Sequence, residues 1–232
     1  MNPLILALDT DDLDTACSWI SATHGSIATY KAGLEFFLKF GEAGINKLRT
    51  AGDFDLFLDL KLHDIPNTVA GAARSVSAIA PKFLTVHASG GTEMIQAAAT
   101  AVPHIEITAV TVLTSLGDED LREIGYRSDP MTTAIGMADL AVKAGARAIV
   151  SSPLEVAGIR AKIGEGAAII TPGVRPTGSA AGDQTRVMTP RDAMRAGSTY
   201  LVIGRPITSL WKSGPSAMSD MAKEILEDAT SA

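Results

Sequence analysis

Eight short aliphatic segments recur along the 232 residues, and each is followed by sequence with helical patterning. Nothing else constrains the fold as strongly. Strands joined through helices run parallel, because each helix carries the chain back to the end from which the next strand starts. The strand-like segments cover 4–8, 26–31, 54–58 (with its alternation continuing to Leu62), 83–87, 104–113, 147–150, 167–170 and 199–203. Helical patterning covers 11–22, 33–50, 66–80, the stretch after Ser89-Gly90-Gly91 to about 101, 118–144 with a break near 126–130, the stretch after Pro153 to about 163, the stretch from 189 to Gly197, and 215–227. Local signals agree with these limits. Pro66 and Pro153 suit first helical positions, Ser152-Pro153-Leu154-Glu155 has the form of a capping box, and Gly52 and Gly197 suit helix ends.

Two architectures satisfy this alternation, a closed barrel and a doubly wound open sheet. Side chains alternate across a strand. In the first segment Leu4, Leu6 and Leu8 share one face, and Ile5, Ala7 and Asp9 the other. In the third, Leu56, Leu58, Leu60 and Leu62 oppose Asp55, Phe57, Asp59 and Lys61. Small and branched residues at Ile5, Ala7, Ile27 and Thr29 suit the layered interior of a barrel. The expected fold is therefore an α/β (β/α)8 TIM barrel, a single domain over 1–232, with no repeat beyond the βα period.

The net charge of −6 and the lack of any basic run exclude a nucleic-acid surface. Cys17 is the sole cysteine, which excludes an internal disulfide, and its place is in the core side of the first helix. The first residues carry no basic run, and their apolar stretch is too short to span a bilayer, so a cytoplasmic protein without membrane contact is expected.

In a barrel, function gathers at the C-terminal strand ends. Those ends carry Asp9, Lys31, Asp59 with Lys61, His87, Thr114 with Ser115, Arg175, and Gly204 with Arg205. Alternating lysines and carboxylates hold one another charged, and a protonated lysine is a general acid rather than a Schiff-base nucleophile. A structural ion-pair network at the barrel mouth is the competing explanation. The segment Ile203-Gly204-Arg205-Pro206 after the last strand suits a phosphate, with Gly204 admitting backbone N–H groups and Arg205 supplying charge. Walker-type and dinucleotide-binding patterns are missing, since Gly164-Glu165-Gly166 precedes a strand. The four histidines are scattered, so no metal is expected. Residues 172–188, rich in Gly and Pro and containing Arg175 and Gln184, read as a mobile lid.

The run Asp59-Leu60-Lys61-Leu62-His63-Asp64-Ile65-Pro66-Asn67-Thr68 resembles the signature of the orotidine 5'-phosphate decarboxylases. Similar pieces follow the same order along nearly the whole chain: Ala7-Leu8-Asp9, Lys31-Ala32-Gly33, Val86-His87-Ala88-Ser89-Gly90-Gly91, Val112-Leu113-Thr114-Ser115, Thr171-Pro172-Gly173-Val174-Arg175, Asp183-Gln184-Thr185-Arg186 and Gly204-Arg205. The resemblance implies decarboxylation of orotidine 5'-phosphate to uridine 5'-phosphate by a homodimeric barrel that uses neither cofactor nor metal. It makes Lys61 the proton donor to C6 and sets Asp59 against the substrate carboxylate. Lys31 and Asp64 complete the charge network, and Asp64 and Thr68 come from the partner subunit. Asp9 and Lys31 match ribose-binding positions, Ser115 the reader of the pyrimidine edge, and Thr114 its neighbour. Arg205, Gly204 and Gln184 match the phosphate grip, and Arg175 a further contact at the lid. Two rivals share the pattern: a Mg²⁺-dependent phosphosugar decarboxylase such as 3-keto-L-gulonate 6-phosphate decarboxylase, and a nucleotide-binding regulator without turnover.

Overall fold

The structure, a computed structural model, describes residues 1–176 and 188–231. Among these, eight parallel strands close into a barrel in chain order: β1 (Leu4–Ala7), β2 (Thr29–Gly33), β3 (Asp55–Leu62), β4 (Phe83–His87), β5 (Glu106–Val110), β6 (Ala148–Val150), β7 (Ala168–Pro172) and β8 (Tyr200–Ile203). Closure is made by β1, where Ile5 pairs with Thr29 on one side and with Val202 on the other. The open-sheet alternative is thereby set aside.

The strand frames separate two cores. Leu4, Leu6, Leu8, Leu56 and Leu58 are all buried in the layer between barrel and helices. Ile5, Ala7, Phe57, Phe83, Ile170, Tyr200 and Val202 fill the barrel interior. Complete burial of each such leucine contributes about 1.5–3 kcal/mol. Ile27 departs from expectation. It lies before β2 and packs in the outer layer, because the strand starts at Thr29 and its parity does not extend backwards into the turn. The lower interior is aromatic rather than small. Phe57 and Phe83 meet edge to face at 5.7 Å, Phe83 and Tyr200 at 5.4 Å, and Lys82 Nζ lies 5.4 Å from the Phe83 ring centre and 5.7 Å from that of Tyr200.

The helices follow local chemistry. Helix α1 (Leu13–Thr23) is capped by Asp12, whose carboxylate accepts from the Thr15 N–H at 2.6 Å, and Cys17 on this helix is half-buried against the outer core. Helix α2 (Leu34–Arg49) is interrupted at Gly41, where φ is +56°, and ends on Thr50 rather than at Gly52. Helix α3 (Pro66–Ser75) starts on its proline and stops short of residue 80 in a separate 3₁₀ turn, Ser77–Ile79. Helix α4 (Gly91–Ala101) follows the Ser89-Gly90-Gly91 turn. The expected break near 126–130 divides α5 (Asp118–Glu123) from α6 (Pro130–Lys143). Helix α7 (Val156–Ile163) follows a 3₁₀ turn, Pro153–Glu155, in which the Glu155 carboxylate accepts from the Ser152 N–H. Helices α8 (Pro190–Arg195), α9 (Arg205–Thr208) and α10 (Pro215–Thr230) complete the ring. No helix among the described residues is long and apolar enough to cross a membrane.

Candidate active site

Strand β3 breaks its own regularity where the charged residues lie. Its register with β4 shifts between Leu58 and Leu62, and Lys61 adopts φ +48°, a left-handed conformation that costs a residue with a Cβ energy. Such irregularities re-aim side chains. Here the Lys61 ammonium turns back onto the Asp59 carboxylate, at 2.8 and 2.9 Å from its two oxygens. The Lys61 N–H donates to Thr85 Oγ1 at 2.7 Å, and that hydroxyl donates to Asp59 Oδ1 at 3.1 Å. From β2, Lys31 Nζ stands 3.5 Å from Asp59 and 3.2 Å from Asp9. Gly33 makes room for it, since a Cβ there would lie 3.2 Å from the Lys31 nitrogen.

Asp59 is only 8% exposed. Burial by itself would lift its pKa, but Lys31 and Lys61, together with the hydrogen bonds from Lys61 and Thr85, hold it below the usual carboxylate value. Burial would likewise weaken the charge on Lys31, yet Asp59 and Asp9 outweigh it and hold that pKa above the usual value. Both groups are thus kept ionised. At the end of β4, the His87 ring lies 5.3 Å from that of His63. Burial, then the neighbouring His63 and Lys61, push the His87 pKa down.

These charges border a cavity of about 480 Å³ at the C-terminal end of the barrel. Asp9, Lys31, Asp59 and Lys61 line one side. Val110, Val150, Pro172 and Val202 add an apolar lining, and Thr114, Arg175, Gly204 and Arg205 line the cavity beyond the strand ends. Gly204 is the N-cap of α9, and its carbonyl accepts from the Ile207 and Thr208 N–H groups at 2.9 and 3.1 Å. Within the chain a Cβ on Gly204 would meet only ordinary contacts, at 3.7 Å from Ala7 and 3.9 Å from Asp9, so packing does not demand glycine there.

The expected residues divide into three groups. Asp9, Lys31, Asp59, Lys61, Thr114, Arg175, Gly204 and Arg205 meet around the cavity. Ser115, Asp64 and Thr68 are exposed and stand outside its lining; Asp64 accepts from the Ile65 N–H at 2.6 Å, in the turn leading to α3. Gln184 lies outside the described residues, as do 177–187 of the expected lid. The ends of that segment are tied together: Val174 and Met188 form a bridge, and the Arg175 N–H donates to the Met188 carbonyl at 3.0 Å. Sequence reasoning missed Thr85 and the apolar wall. A polar residue in the inward frame of β4, between Phe83 and His87, was the available signal.

Residues 2–211 match the model of the family described as Orotidine 5'-phosphate decarboxylase / HUMPS. The orotidine 5'-phosphate decarboxylase of Thermobifida fusca is 53% identical, over 89% of this chain and 88% of that protein. That of Wolbachia pipientis is 41% identical over 98% of this chain and all of its own. The crystal structure of orotidine 5'-phosphate decarboxylase from Lactobacillus acidophilus superposes with a TM-score of 0.82 at 34% identity, covering 97% of this chain and 99% of that one.

Proposed function

The chain belongs to the orotidine 5'-phosphate decarboxylase / HUMPS family, and from that premise we propose that it converts orotidine 5'-phosphate to uridine 5'-phosphate and CO₂, the last step of pyrimidine nucleotide synthesis. The observation that carries this reading is the charged Lys31–Asp59–Lys61 array, centred on the buried Asp59, in one cavity with an apolar lining.

The C6–carboxylate bond breaks, CO₂ leaves, and the electron pair stays on C6. The Lys61 ammonium then gives its proton to C6 and recovers one from solvent, so a single proton is consumed per turnover. Preorganised charge of this kind stabilises a developing carbanion without reorganisation during the reaction. Asp59 faces the substrate carboxylate and disfavours it in the ground state. Asp9 and Lys31 hold the ribose, and Thr114 and Ser115 address the base. Arg205, Gly204 and Gln184 grip the phosphate, with Arg175 beside them. Binding at this remote end is convertible into barrier lowering at C6, and closure of 172–188 over the phosphate would couple the two.

The active unit in this proposal is a cytoplasmic homodimer. Asp64 and Thr68, exposed beside the 67% exposed Ile65, reach the cavity of the partner subunit and complete the charge network there. No cofactor or metal takes part. A spectrophotometric assay with orotidine 5'-phosphate in EDTA tests the proposal. Wild type is expected to turn over, and Lys61→Ala to lose roughly a thousandfold in kcat, within the span of general acid catalysis. A folded wild type without turnover, active instead on a phosphosugar after Mg²⁺ addition, would overturn it.

A further inference from the structure

We infer that Thr85 is a positioning residue for the reaction: its one hydroxyl fixes both the backbone that carries the proton donor and the carboxylate that the donor faces. Three observations converge on it. The β3–β4 ladder loses its register between Leu58 and Leu62, so the Lys61 N–H has no regular ladder acceptor. Thr85 Oγ1 takes that N–H at 2.7 Å and so holds Lys61 at φ +48°. The same oxygen passes its own proton to Asp59 Oδ1 at 3.1 Å, leaving Lys61 Nζ to span both carboxylate oxygens.

Thr85 is completely buried. A threonine hydroxyl has one proton to give and lone pairs to accept with, so the acceptance from Lys61 orients the donation toward Asp59. Without the hydroxyl, the half-buried Lys61 N–H loses this acceptor, and the left-handed bend loses the bond that sustains it. The ammonium would then rest at a different depth relative to the reacting carbon. A shift near 1 Å in a catalytic group is enough to cost a rate factor on the order of a hundred. Thr85 stays beneath Asp59 and outside the cavity lining, so ligand contacts at the rim are spared.

The inference rests on the proposed decarboxylase activity for its kinetic consequence, but its structural half is measurable without substrate. Wild type, Thr85→Val and Thr85→Ser are compared in two ways: steady-state kinetics with orotidine 5'-phosphate, and site-resolved hydrogen exchange of the Lys61 amide in the free protein. In Thr85→Val, kcat is expected to fall by about 10- to 100-fold, the scale of one lost hydrogen bond to a charged group. Its KM is expected to stay within about threefold, and Lys61 amide exchange to speed up by at least roughly tenfold. Thr85→Ser restores both. If Thr85→Val does not fold, Thr85→Ala takes its place in both measurements. Unchanged Lys61 exchange in the variant lacking the hydroxyl, or a serine variant as impaired as the valine one, would overturn the inference. Exchange that responds as described in a wild type without turnover would uphold the positioning and sink the proposed substrate instead.

Discussion

The two halves of the barrel mouth solve opposite problems. Strands β1 to β4 bring charge together around the buried Asp59: Lys31 and Lys61 lie within 3.5 Å of it, the exposed Asp9 lies 3.2 Å from Lys31, and Thr85 sits beneath them. Strands β5 to β8 contribute Val110, Val150, Pro172 and Val202, with the uncharged Ser151 buried beside them and the charged Arg175 and Arg205 beyond the strand ends. Burying ions is costly unless each is paired and hydrogen-bonded, so the first half must be over-determined in geometry. It is there that the regular strand is broken and a non-glycine residue is held left-handed. The strands of the second half bring no charged side chain into the cavity and keep regular register. Local irregularity therefore marks where charge is held in place, and regularity marks where a ligand is merely enclosed.

Substitutions on each side test that contrast. The largest effect belongs to Lys61→Ala, with the kcat loss given above and little change in KM; an equal loss through KM would place the charged half in binding rather than chemistry. At the rim of the second half, Arg205→Ala is expected to lower kcat/KM by about 100-fold, the scale of charge-assisted bonds to a phosphate. Near-wild-type kcat/KM would remove phosphate recognition from that side. Val150→Ala trims the apolar wall and should raise KM by roughly three- to tenfold with kcat retained. A comparable fall in kcat would mean that the wall shapes the transition state too.

The smallest effect is one of pH. The His87 pKa is depressed below 6.5, and the groups facing it are His63, Lys61 and Asp59. The unfolded chain therefore takes up a proton first as pH falls below 6.5, and stability declines until the folded pKa is passed. For Asp59, whose pKa is depressed below 3.8, stability is present above that value and is lost in stronger acid. Denaturant titrations of wild type and His87→Asn should differ in slope against pH just below 6.5 and agree near neutrality. Identical slopes would show that His87 protonates as readily in the fold as outside it.

Much of this was legible because strand periodicity is a strict code. Leucine frames at 4, 6, 8 and 56, 58 separated inside from outside, and Pro66 and Pro153 marked helix starts. Strand ends then placed Asp9, Lys31, Asp59, Lys61 and Arg205 on one rim. Ile27 misled because parity was extended past the point where the chain leaves the sheet. The bend at Lys61 left no mark, since a left-handed lysine is disfavoured by its own backbone and exists only through contacts with β4, and Thr85 left only its polarity in the inward frame of β4. The exposure of Ser115 was equally illegible, because sequence places a residue along the chain and not relative to the cavity wall.

The stack of Phe57, Phe83 and Tyr200 closes the barrel below the charges, with Lys82 against its underside. Among the described residues the cavity is thus a well, open at the top and stopped at the base. Whatever is formed on its floor must depart by the route its precursor came in, so traffic is single file. A departing nucleotide bars the next arrival until it clears the rim, and added product should compete with substrate in the simplest way, raising KM and leaving the limiting rate untouched.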